Sequence, residues 1–127
     1  MIYTGYFDRL TDYEHAGLTP VCIAGYPPSE INYTGARFPA LAPKKIWWQE
    51  WHDKHLSNAW YKQKYNETVL DKLSAVETAE KLHSFGEDVI LLCMEKPPQF
   101  CHRHLVSNWF RKHHFACEEY TFQNERG

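Results

Sequence analysis

Between Asp88 and Glu95 the chain reads Asp-Val-Ile-Leu-Leu-Cys-Met-Glu, six apolar positions held between two acids. A run of that length suits one strand, and apolar residues on successive positions mark a strand covered on both faces. With a period of two, Val89, Leu91, Cys93 and Glu95 share one face. Ile2–Tyr6 is a second, β-prone run. Pro20–Ala24 is a third, bounded by Gly17 and by Gly25-Tyr26-Pro27-Pro28, and Glu118–Phe122 reads as a last strand.

Helical spacing fills the intervals. Residues 8–16 predict a short helix stopped by Gly17. In Asn58–Leu73, Tyr61, Tyr65, Val69 and Leu73 recur four apart. Ser74-Ala75-Val76-Glu77 matches a capping box and starts a further helix to about Ser84. Cys101–His114 carries an apolar stripe of Leu105, Val106, Trp109 and Phe110. Residues 27–43 hold four of the seven prolines and predict a long loop, and Lys44–His55 is helical or irregular. The order β-α-β-loop-α-α-β-α-β predicts one α/β domain over residues 1–127. Its sheet is mostly parallel, with helices on both faces in three layers.

Composition refines this picture. At 127 residues, 43% hydrophobic and 24% charged, the chain can bury a core without disulfide staples. A net charge of −2 excludes a generally basic coat for nucleic acid. No apolar stretch is long enough to cross a membrane, and no leader pattern is expected, so a cytoplasmic setting with no membrane partner follows. The four cysteines, Cys22, Cys93, Cys101 and Cys117, lack the regular spacing of a secreted scaffold and read as reduced thiols. Walker, GxGxxG and Gly-x-Ser-x-Gly patterns are missing, and no cofactor is expected.

Parallel α/β sheets bind ligands at the carboxyl ends of their strands. One such end is Thr4-Gly5-Tyr6. The other is Cys93-Met94-Glu95 running into Lys96–His104, which concentrates Cys93, Glu95, Cys101, His102, Arg103 and His104. Cys101 opens a helix, where backbone N–H groups and the cations Lys96, His102 and Arg103 favour a thiolate; the alternative is a partly buried cap. Arg103 and His102 in a first helical turn suit an anionic ligand group; alternatively Arg103 pairs with Glu95 or Glu50. Glu95 is a candidate acid or base, or simply the partner of Arg103 or Lys96. Cys93 reads as packing more than chemistry. No metal site is expected, because Cys-x7-Cys-His-x-His lacks a zinc knuckle and adjacent helical residues such as Cys101 and His102 point about 100° apart.

Segment 44–65 interleaves Trp47, Trp48, Trp51, Trp60, Tyr61 and Tyr65 with five lysines against Glu50 and Asp53. Rings among cations are how single-stranded bases are stacked. Trp at helical spacing is also ordinary core, expected for at least half of these rings.

Leu91-Leu92-Cys93-Met94-Glu95-Lys96, then Cys101-His102-Arg103, resembles the hallmark of a bacterial and phage family catalogued as domain of unknown function 488. Ile2-Tyr3-Thr4-Gly5-Tyr6 is similar to that family's opening strand, and Tyr65 to a helical tyrosine preceding its hallmark. The family has no agreed activity. The resemblance implies a Rossmann-like sandwich with a pocket around Cys93, Glu95, Cys101, His102 and Arg103. One departure stands out: where many members end the second strand in Asp-Val-Arg, this chain has Val21-Cys22-Ile23-Ala24-Gly25. Two functional expectations result. One is a small protein with an anionic or nucleotide-like ligand, Glu95, Cys101 and Arg103 acting on it and Thr4, Gly5, Tyr6, Cys93 and His102 contacting it. The other is a non-catalytic module that grips nucleic acid or a host protein through residues 44–65.

Overall fold

A computed structural model describes residues 1–95 and 99–122; the proline loop and its Lys96, and the tail beyond Phe122, lie outside the described residues. Among the described residues five parallel strands form one sheet in the order β3-β2-β4-β1-β5: β1 Ile2–Tyr6, β2 Thr19–Cys22, β3 Ala36–Arg37, β4 Val89–Cys93 and β5 Cys117–Glu119. The apolar run is the central strand, flanked by β1 and β2 and buried at every residue. The helices are α1 Leu10–His15, α2 Lys45–Asp53, α3 Asn58–Thr68, α4 Ala75–His83 and α5 Arg103–Lys112.

The two faces of the sheet are covered unequally. Val89, Leu91 and Cys93 join Trp47, Tyr61, Tyr65, Leu82 and the Leu105–Phe110 stripe, so α2 to α5 share one face. Ile90 and Leu92 join Phe7, Tyr13, Leu18, Cys22 and Tyr33, with Tyr120 and Phe122 against them, so α1 and loop segments cover the other. The period of two along β4 thus sorts the core into two clusters.

Local chemistry sets several boundaries. Gly17 takes φ +86°, and its N–H and that of Leu18 return to the carbonyls of Glu14 and Tyr13, which closes α1 in a Schellman motif. Ser74 Oγ accepts the Glu77 N–H at 3.2 Å and starts α4 as expected. The helix expected over Asn58–Leu73 stops at Thr68, whose hydroxyl donates back to the Lys64 carbonyl at 2.6 Å; a 3-10 turn, Leu70–Lys72, continues it. The long loop contains β3, a two-residue strand too short to leave a pattern. The strand expected over Glu118–Phe122 starts at Cys117 and ends at Glu119; the Tyr120 N–H still donates to the Thr4 carbonyl at 2.9 Å, and the Tyr120 and Phe122 rings pack on Tyr13.

Candidate functional site

α5 begins at Arg103, two residues later than expected, so Cys101 and His102 sit in the junction ahead of it. His102 and Arg103 leave that junction toward opposite sides of β4. On the β2 side, His102 Nε2 lies 2.8 Å from the carbonyl oxygen of Ile23, just past the end of β2. A carbonyl only accepts, so Nε2 carries the proton and Nδ1 holds the lone pair. Burial, with Arg103 adding a smaller push against the Ile23 hydrogen bond, drives the His102 pKa down to about 4, and the imidazole is neutral at pH 7. Burial and the same guanidinium also lower His104.

On the β1–β5 side, Arg103 is fully buried. Its Nε donates to Glu119 Oε1 and Oε2 at 3.0 and 3.2 Å, and Nη2 to Oε2 at 3.0 Å. Nη1 donates to Cys93 Sγ at 3.2 Å and to the Glu95 carbonyl. Its guanidinium lies 5.4 Å from the Tyr6 ring, and Thr4 Oγ1 donates to Glu119 Oε1 at 2.7 Å. The expected partner of Arg103, the carboxylate of Glu95 or Glu50, is therefore replaced by Glu119. Glu50 faces Lys54 instead, and Glu95 lies exposed beyond β4. A guanidinium so fully engaged is not an open anion clamp. Sequence reasoning missed Glu119; the signal was its pairing position opposite Thr4, two residues from Cys117 on the same face.

Gly5 also differs from its expected role. A Cβ there would come 2.6 Å from Tyr13 Oη, so Gly5 makes room for Tyr13 on the far face rather than for a ligand. Cys101 is not the lone thiol expected: it is disulfide-bonded to Cys93, and both sulfurs lie near His102. The other two cysteines are buried thiols. Burial raises Cys22, and burial pushes Cys117 up to about 11.

Over the carboxyl ends of β2 and β4 opens a cavity of about 530 Å³. Cys101, His102 and Glu95 line it, as do Trp48, Trp51 and Tyr61 of α2 and α3. Arg103, Thr4 and Tyr6 do not. The aromatic wall is a tertiary construction. Trp47, Tyr61 and Tyr65 are core, Trp47 Nε1 donating to Thr68 Oγ1 at 2.8 Å and Tyr65 Oη to the Leu41 carbonyl at 2.6 Å. Trp48, Trp51 and Trp60 are half-buried against them. Trp51 meets Tyr61 edge-on at 4.9 Å, and Trp48 stacks on His52 at 5.1 Å. Among the described residues, Trp51 Nε1 is a buried side-chain donor without a hydrogen-bond partner. The two regions that sequence reasoning kept apart, the hallmark and the aromatic segment, thus share one cavity.

Residues 8–114 match the family described as the active DUF488-N3 subclade. No curated protein and no solved structure matches the chain.

Proposed function

The chain belongs to the active DUF488-N3 subclade, and from that premise we propose that its cavity binds a nucleotide-like small molecule beside the Cys93–Cys101 pair. One observation carries the reading: a single cavity of ligand size joins an aromatic wall to the buried sulfur and imidazole of the hallmark. A heteroaromatic ring would lie against Trp48, Trp51 and Tyr61. Lys45 at the rim supplies a cation for a phosphate. Cys101 is the sulfur presented to the ligand, and Glu95 the rim carboxylate available for proton transfer. Arg103, with Tyr6 and Thr4, acts through Cys93 and the α5 junction as a positioning residue. For a cytoplasmic setting, the free thiols of Cys22 and Cys117 speak in favour and the Cys93–Cys101 disulfide against. Among the described residues no helix is long and apolar enough to cross a membrane. The alternative, a nucleic-acid track along residues 44–65, has less to stand on, since half of its rings are spent in the core.

Titration of the protein with purine and pyrimidine nucleotides, followed by tryptophan fluorescence, tests the reading. Saturable quenching is expected. Trp48→Ala should weaken binding about 5–150-fold, the 1–3 kcal/mol of one stacked base, in a chain that is still folded at the assay temperature. Failure of every nucleotide to bind, or unchanged affinity in Trp48→Ala, overturns it.

A further inference from the structure

Cys93, Cys101 and His102 bring three ligand atoms within 4.8 Å of one another, and among the described residues no other trio of His, Cys, Asp or Glu does so. The objection from sequence was that consecutive helical residues diverge. It does not apply here, because Cys101 precedes the helix and His102 is its cap residue; Cys101 Sγ and His102 Nδ1 stand 3.8 Å apart. The tautomer is the one that metal-binding histidines adopt, with the distal N–H held by a backbone carbonyl and the lone pair turned to the site. Two sulfurs and one imidazole form a donor set that suits zinc. The Cys93 and Cys101 Cα atoms are 7.1 Å apart, against about 4.4–6.8 Å in most disulfides. That spacing leaves the sulfurs room to part to the roughly 3.8 Å that two ligands at about 2.3 Å subtend at a tetrahedral ion.

We propose that, once the Cys93–Cys101 bond is reduced, Cys93 Sγ, Cys101 Sγ and His102 Nδ1 hold a zinc ion whose fourth position opens into the cavity. Reduction is by a dithiol: it gives two electrons and two protons to the S–S bond and leaves as its own disulfide. The two thiols lose those protons as the ion binds, so two thiolates balance Zn²⁺, while Arg103 beside Cys93 is already balanced by Glu119. Cys101 and His102 both line the cavity, whereas Cys93 is sealed beneath them. Three protein ligands with a position open to a cavity is the arrangement of zinc sites that bind or activate water or substrate, whereas purely structural sites are closed by four. The inference stands on these three ligands and does not depend on which molecule fills the cavity.

The test uses the full chain, reduced with dithiothreitol, desalted without oxygen and titrated with Co²⁺ as a spectroscopic probe. One equivalent should bring a thiolate-to-cobalt charge-transfer band and the intense visible bands of tetrahedral cobalt, and Zn²⁺ should erase both. Cys101→Ser should lose the charge-transfer intensity contributed by its sulfur. His102→Gln should weaken binding by more than the roughly 10–100-fold that loss of an outer-shell partner costs. Cys22→Ser should change nothing. A variant that fails to fold is bypassed by alkylation of the reduced wild-type chain: Zn²⁺ should protect Cys101, the sulfur that lines the cavity, from iodoacetamide, and chelation should restore its labelling. No charge-transfer band with one equivalent of cobalt, the same spectrum in Cys101→Ser, or labelling indifferent to Zn²⁺ would each overturn the site. Nucleotide binding by the oxidised chain is read separately, so either proposal can fail without the other.

Discussion

His102 and Arg103 are consecutive and both buried, yet they answer burial in opposite ways. Arg103 keeps its charge and surrounds it: carboxylate, disulfide sulfur, carbonyl and ring occupy the guanidinium. His102 gives its charge up, holding one carbonyl and leaving a lone pair toward the cavity. The first arrangement is saturated and the second is open at one atom. Placement in a hallmark motif therefore does not make two residues alike in role. The saturated side ties β1, β4 and β5 to the start of α5, while the open side faces the space where a ligand fits.

The sharpest way to break this contrast is Arg103→Ala. It leaves Glu119 partly buried without its cation, and losing one partner of such a pair costs about 3–5 kcal/mol. Urea unfolding should show that loss, Glu119→Gln should recover part of it, and Glu95→Gln should recover none. Rescue by Glu95→Gln instead would mean that the pairing is wrong. The next effect belongs to His102. Its folded pKa of about 4 lies below the unfolded value near 6.5, so the unfolded chain takes up the proton first. The resulting stability is complete above pH 6.5 and is lost as pH falls toward 4, a decline of roughly 3 kcal/mol in the oxidised chain. In His102→Gln that part of the acid slope should vanish; an unchanged slope would mean that the imidazole is not held neutral by burial. The smallest effect is Thr4→Val, which removes the 2.7 Å bond to Glu119 but leaves Arg103 in place. About 1.5 kcal/mol is expected in thermal unfolding, and a loss as large as that of Arg103→Ala would make Glu119 rather than Arg103 the centre of the cluster.

The fold was largely legible because its signals were local and repeated. The six-residue apolar run could only be a central strand, and the serine three positions before Glu77 could only start a helix there. Of the candidate site, Glu95, Cys101 and His102 were legible as residues that come to one cavity, but the pairings around them were not. Nothing near Arg103 in sequence points to Glu119, sixteen positions on, because the link is made by a parallel crossover that returns the chain beside β1. The cavity wall was hidden for a related reason. α2 and α3 look like a basic aromatic surface until their packing decides which rings are buried, and that decision is tertiary. Cys93 was read as packing because its neighbours are apolar; the sulfur that reaches it arrives from across the loop.

The pairing of Ile2 with Val89 sets a timetable for the newborn chain. β1 is made early and has its partner 87 residues later in the sequence. At roughly 5–20 residues per second, synthesis leaves it waiting for about 4–17 s before β4 exists at all. Over that interval Ile2 has no strand to pair with, and β2 has only the two-residue β3 beside it. The molecule must therefore close from its middle outward, with β4 inserting between two strands made before it. A ribosome stalled short of Cys93 would hold a chain without its complete central strand.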